Sequence, residues 1–175
     1  MSNLIVISAL GKDRPGIVNE LSKAILDAGG NIEDSRMLVL GGEFALMILV
    51  SGEEPTIVKI EWLLPQLQNS FGLTVIAKRT QPRTVTGPSM PYVVEVIAMD
   101  HPGIVHEISR FFSDRKINVE EMDTSSYAAP HTGTRMFSLD MVVSIPATLS
   151  IPQLRDDFAD FCDALNVDAV LEPKK

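Results

Sequence analysis

Asp13-Arg14-Pro15-Gly16-Ile17-Val18 returns 87 residues later as Asp100-His101-Pro102-Gly103-Ile104-Val105. The same offset pairs Glu20 with Glu107, Ser22 with Ser109, Asp27 with Asp114, Asn31 with Asn118 and Glu33 with Glu120. One short motif can recur by accident, but a register held over about twenty residues marks a duplication. With 175 residues in all, each half has the length of a small domain with a modest core of its own. Whatever one half folds into, the other must be able to fold into as well.

Periodicity gives the elements of the unit. Leu4 to Leu10 is a β-branched apolar run closed by Gly11 and the Asp13-Arg14-Pro15-Gly16 break, which predicts a buried strand. Ile17, Leu21, Ala24 and Ala28 then recur at helical spacing, and Gly29-Gly30 ends the helix. Ile32 to Leu40 and Phe44 to Val50 predict a hairpin across Gly41-Gly42. Glu54-Pro55 opens a second helix through Ile57, Ile60, Leu63, Leu64 and Leu67, which Pro65 is expected to kink or split, and Leu73 to Ala77 reads as a last strand.

Residues 80–91 carry three prolines and a glycine with little apolar content and are expected to form an extended connector. The second half repeats the order: strand from Tyr92 to Ala98, helix from Gly103 to about Lys116, strand from Val119, strand from Met136 to Val143, helix from about Pro152 to Leu165, and strand from Val167 to Leu171. Its hairpin turns through the longer Ala128 to Thr134. The expected class is α+β: two tandem ferredoxin-like βαββαβ domains, 1–79 and 92–175, each an antiparallel sheet with helices on one face. The other face and the sheet edges are left for pairing between halves or chains, so a homo-oligomer is among the expected assemblies.

Composition removes several function classes. A net charge of −8 and a pI near 4.8 repel the phosphate backbone, so no direct nucleic-acid partner is expected; Lys78-Arg79, Arg83 and Lys174-Lys175 read as scattered solvated charges. No apolar run approaches the roughly twenty residues of a membrane span, and a signal-type start is lacking, so no membrane partner and a cytoplasmic location are expected. Cys162, the only cysteine, leaves no disulfide framework and reads as a small apolar residue beside Phe158 and Phe161. His101, His106 and His131 complete no metal set, and the adjacent carboxylates Glu33-Asp34, Glu53-Glu54, Glu120-Glu121 and Asp156-Asp157 point apart. Gly11-Lys12 lacks the rest of a phosphate loop. No catalytic centre and no cofactor are expected.

The duplicated loop has chemistry of its own. Pro15 and Pro102 fit a first helical turn, Gly16 and Gly103 permit close approach, and the helix N-terminus is a receptor for a small carboxylate. Asp13 and Asp100 can meet a ligand's ammonium. Asn31 and Asn118 stand at the far end of a helix of about thirteen residues, roughly 20 Å away, and reach such a ligand only across an interface or through chain curvature. The same residues also have a purely structural account: Asp as helix N-cap, Pro-Gly as turn, Asn as turn residue before a strand.

A βαββαβ unit whose first loop reads Asp-Arg-Pro-Gly-Ile-Val, followed by a helix and Asn-Ile, resembles the ACT domain, a sensing module that usually recognises amino acids. The strings Ala9 to Asn19, Asn31 to Arg36, Leu40 to Phe44, Leu49 to Gly52 and Lys78 to Thr80 resemble tandem-ACT transcriptional repressors in particular. That resemblance implies a regulator that acts on a DNA-bound transcription activator rather than on DNA, with a small amino acid, glycine, relieving repression. It implies ligand contacts at Asp13, Gly16, Ile17, Val18 and Asn31, and at Asp100, Gly103, Ile104, Val105 and Asn118. His101 departs from Arg14, and the long second hairpin from Gly41-Gly42, so equal binding by the halves is not expected. Formyltetrahydrofolate deformylases carry a similar opening on an N-terminal ACT domain, but no catalytic domain follows within the 175 residues. The alternatives are a stand-alone sensing subunit of a metabolic enzyme and, if the loop glycines merely close turns, a structural interaction module with no ligand.

In a gel-shift assay the purified chain alone is expected to leave operator DNA unretarded; salt-sensitive, sequence-selective retention by the chain alone contradicts the charge argument.

Overall fold

In the computed structural model, which describes residues 3–84 and 87–174, the chain divides into two compact units, with the break after Thr84. The first unit runs β1 (Asn3–Lys12), α1 (Ile17–Ala28), β2 (Asn31–Leu40), β3 (Glu43–Gly52), α2 (Glu54–Phe71) and β4 (Thr74–Thr80). The second repeats it as β5 (Ser89–Met99), α3 (Ile104–Asp114), β6 (Asn118–Ala128), β7 (Arg135–Pro146), α4 (Ile151–Leu165) and β8 (Asp168–Pro173). Each sheet is antiparallel throughout, in the orders β2-β3-β1-β4 and β6-β7-β5-β8. This is the expected ferredoxin-like sandwich, found twice. Of residues 80–91, expected as the connector, Thr80 closes β4, Ser89 to Pro91 belong to β5, and 85 and 86 lie outside the described residues, as does Lys175 of the basic tail.

Alternation along the central strands decides which face is covered. Ile5, Ile7 and Ala9 of β1 point to the helices and are at most 4% exposed, as are Val94 and Val96 of β5. They meet Ile17, Leu21 and Ile25 of α1 in one unit and Ile104, Ile108 and Phe112 of α3 in the other. At about 1.5–3 kcal/mol per fully buried large aliphatic or aromatic side chain, these columns are the main force holding each unit together. The second core is more aromatic. Phe111 and Phe112 meet edge to face at 5.2 Å, and both lie within 5.3 Å of Phe158.

All four helices end in a left-handed residue followed by a closing backbone bond. Gly30 N–H donates to Ile25 O and Gly29 N–H to Leu26 O. Gly72, Lys116 and Asn166 occupy the same place in α2, α3 and α4, and the residues after them, Leu73, Ile117 and Val167, drop into the core. Lys116 adopts φ 57° where the first repeat has Gly29, and α3 therefore stops at Asp114 rather than running to Lys116.

Two expectations need correction. α2 is one continuous helix through Pro65. A proline removes one backbone bond, here to the Glu61 carbonyl, while buried Ile60 and Leu64 hold both flanking turns on the sheet. Arg79 is not a scattered solvated charge either: Nε and Nη2 bond Glu61 at 2.8 and 2.9 Å, and Nη1 bonds Glu54 at 2.6 Å, tying β4 to α2. Among the described residues no helix is long and apolar enough to cross a membrane.

Replacing fully buried Phe112 by alanine is expected to destabilise its unit by about 3–5 kcal/mol. Leu26→Ala, on a side chain 71% exposed, should stay within about 0.5 kcal/mol, both read from urea unfolding.

Candidate functional site

The chain leaves β1 at Lys12 and enters α1 at Ile17, and in that interval it reverses direction. The reversal is made at Gly16, with φ 96° and ψ −12°, and at Gly103, with φ 103° and ψ −14°. Only glycine adopts this region without strain. Added side-chain atoms are not otherwise excluded: a Cβ on Gly16 would come no closer than 3.5 Å to Glu20 Oε1, and one on Gly103 would meet nothing within 4 Å. The glycine is there for its backbone.

These glycines are also the N-caps, which corrects two readings. Pro15 and Pro102 precede the cap instead of filling the first helical turn, because the left-handed glycine must come between loop and helix. Asp13 and Asp100 are not caps: no side chain caps either helix, and the first helical bonds run from Glu20 N–H to Gly16 O and from Glu107 N–H to Gly103 O, both 2.9 Å. An uncapped helix start keeps first-turn N–H groups, with the positive end of the helix dipole, for a partner other than the chain's own side chains.

Ile17 and Ile104 anchor the turn by burial, at 1% and 2% exposure, so only their backbone can meet a ligand. Val18 and Val105 are exposed beside them. Asp13, Gly16, Ile17 and Val18 are thus gathered at one end of α1, and Asp100, Gly103, Ile104 and Val105 at one end of α3. Asn31 and Asn118 are not brought to these sites within their own repeats; they open β2 and β6, beyond the opposite helix ends. Their amides are engaged locally. Asn31 Nδ2 donates to Glu33 at 2.9 Å and Asn118 Nδ2 to Glu120 at 2.8 Å, each across a bulge in the edge strand. Hydrogen bonds from Ser51 and then Asn31 hold the Glu33 carboxyl below its ordinary range.

The two loops differ in charge. Arg14 grips Glu20 with two bonds of 2.6 and 3.2 Å and lies 5.6 Å from the Phe71 ring centre, so it clamps the first loop to α1 and to the end of α2. Asp13 is exposed and makes no ion pair among the described residues. In the second repeat His101 reaches only the Pro102 carbonyl at 3.0 Å, and Glu107 turns to Arg110 at 2.6 Å. Asp100 is held by Arg135 Nε at 2.8 Å. Sequence reasoning missed Arg14 as a clamp because its partner lies across a turn, off any helical spacing. It missed Arg135 because only the β5–β7 register brings it to Asp100. Cys162 is buried on α4, and burial, then Asp163, pushes its thiol up to about 11.

ACT-domain models match residues 3–78 and 92–156. The chain is 32% identical over 164 residues, 93% of its length, to the glycine cleavage system transcriptional repressor of Escherichia coli, of which it covers 85%. A crystal structure provisionally assigned to a glycine cleavage system transcriptional repressor superposes with a TM-score of 0.76 at 31% identity, covering 100% of this chain and 99% of that one. That of an unknown protein from Galdieria sulphuraria superposes with a TM-score of 0.83 at 26% identity and complete coverage of both chains.

Gly16→Ala and Gly103→Ala are each expected to cost about 1–2 kcal/mol from the left-handed backbone, measured by denaturant titration. Arg14, by hydrogen bonding first, lowers the Glu20 carboxyl from its ordinary 4.5, so the clamp stabilises above that pH and is lost as pH falls through the lowered value. The stability gap between the native chain and Glu20→Gln should therefore close on acidification.

Proposed function

The chain belongs to the ACT-domain family, with one copy in each half, and on that premise we propose a non-enzymatic, cytoplasmic regulator that senses a small amino acid and relays it to a DNA-bound transcription activator. The observation that carries this reading is the uncapped helix start at Gly16 standing beside an unpaired Asp13. An α-amino acid carries a carboxylate and an ammonium on adjacent atoms. Its carboxylate suits the N–H groups of the α1 start, and its ammonium suits Asp13. Glycine is the favoured ligand, because relatives 32% identical over 93% of the chain are named for the glycine cleavage system and because a ligand without a side chain makes no further demand on the loop.

The two repeats are unequal in this reading. Arg135 already satisfies Asp100, so an ammonium entering the second loop must compete with a guanidinium, while Asp13 has no such competitor. The first repeat is the sensor. Asn31 and Asn118 join a site only across an interface with another domain or chain.

To act as a switch, glycine must favour one of two states of the chain, and a tenfold change in activator affinity needs about 1.4 kcal/mol of differential binding. By reciprocity the activator weakens glycine binding by the same factor. Calorimetric titration with glycine should give binding that Asp13→Asn weakens at least tenfold and Asp100→Asn by less than threefold. Absence of heat at millimolar glycine, or greater loss in Asp100→Asn, overturns the assignment.

A further inference from the structure

The uncovered face of the first sheet carries apolar side chains in its middle, with Arg36 on the β2 edge bonded to Asp34, and charges at both ends. Leu10, Leu38, Met47 and Ile76 share that face and are 52%, 43%, 55% and 67% exposed, around an open groove of about 490 Å³. Isolated exposed apolar residues need no explanation, but four neighbours on one flat face do. We propose that this face is a self-association surface, and that its occupant is the same face of a second copy of the chain.

The registers place the charges for that pairing. Asp34 on β2, Leu49, Val6 and Lys78 on β4 form one row across the sheet, an acid at one edge and a base at the other. Glu43 on β3 and Lys12 on β1 are direct neighbours at the far end of the two central strands. Stack two such faces about a twofold axis parallel to the strands, between β1 and β3. Then β2 of one copy lies over β4 of the other, and β1 over β3. Asp34 meets Lys78 of the second copy, Lys12 meets its Glu43, and symmetry repeats both contacts. Four opposite-charge contacts then rim a centre of apolar side chains in the aligned manner of a sheet sandwich, with each Arg36, bonded to its own Asp34, over Ile76 of the second copy. Rim charges of this kind fix register more than they add affinity.

The duplicated sheet is the internal control. On its outward face Asp123, Asp140 and Glu95 stand directly abreast on β6, β7 and β5, with Glu121 and Glu172 on the next row. The same twofold operation sets Asp140 over Glu95 and Glu121 over Glu172, so these acidic contacts repel, although Ile97, Met99 and Val170 are exposed on that face too and Lys174 lies 3.8 Å from Glu121. Charge composition follows the same division: nine acidic against eight basic residues in 1–84, but fourteen against seven in 85–175. Self-association therefore runs through the first unit alone.

Four strands about 4.8 Å apart and about seven residues long make a small face. The contact sits near the lower bound of about 1,200 Å² for specific association, so a micromolar dissociation constant is expected. Analytical ultracentrifugation of the full chain at about 100 µM, well above that constant, should give a dimer. Met47→Asp and Ile76→Arg should give monomers with unchanged circular dichroism, since both side chains are more than half exposed and the new arginine faces Arg36 of the second copy. Lys78→Asp should weaken the dimer at least tenfold, and Asp34→Lys combined with Lys78→Asp should restore it. Val170→Asp, at the matching position of the second sheet, should leave it intact. A monomeric native chain at that concentration, a dimer that survives Met47→Asp and Ile76→Arg, or one dissolved by Val170→Asp overturns the proposal.

Discussion

Each unit depends on turning the chain from the end of a central strand into the helix that covers that strand. Between Lys12 and Ile17 there is room for one reversal, and the residue after it must enter the core at once. A left-handed glycine accomplishes both. It redirects the backbone and delivers Ile17 or Ile104, nearly fully buried, beneath the helix. The geometry that satisfies the core leaves the helix start without a side-chain cap. The structural need and the proposed binding opportunity come from one backbone conformation.

What surrounds that conformation has diverged. The backbone devices are held in common: the glycine caps, the Asn-to-Glu bond at the bulge, the left-handed helix ends. The charges are not. Arg14 clamps one loop, while Arg135 occupies the aspartate of the other. The outward face of one sheet carries acids and bases together, and that of its twin sets Asp123, Asp140 and Glu95 abreast. A duplication preserves what the fold requires and frees what it does not, so the two copies can divide sensing, association and solubility between them.

The fold was legible because its signals are local. Period-two and period-3.6 patterns, glycine stops and the repeat itself each give the same element order. The errors arose where a residue's local preference met tertiary packing. Pro65 signals a break, yet the buried side chains around it keep α2 whole. Pro15 and Asp13 signal helix turn and cap, yet the glycine between them and the helix takes over the capping role. The loop was found as a candidate site, but its electrostatics were not legible. The partner of Arg14 lies across the turn, and that of Asp100 is 35 residues away on a neighbouring strand. Those pairings exist only once strand register is set.

The bulges in the edge strands carry a consequence of another kind. Side chains on a strand alternate, so one extra residue inverts the parity of everything after it. Pairing passes from Ile32 opposite Val50 to Asp34 opposite Leu49, with Glu33 as the odd residue held by Asn31. From that point Asp34, Arg36 and Leu38 look outward and Met37 and Val39 look toward the helix side. Deleting one residue at this point would exchange the two sets, turning the strand over like a card. The same step occurs at Val119 and Glu121 in the other repeat. The choice of which side of the sheet would meet the world was therefore settled before the gene was doubled, and both descendants inherited it.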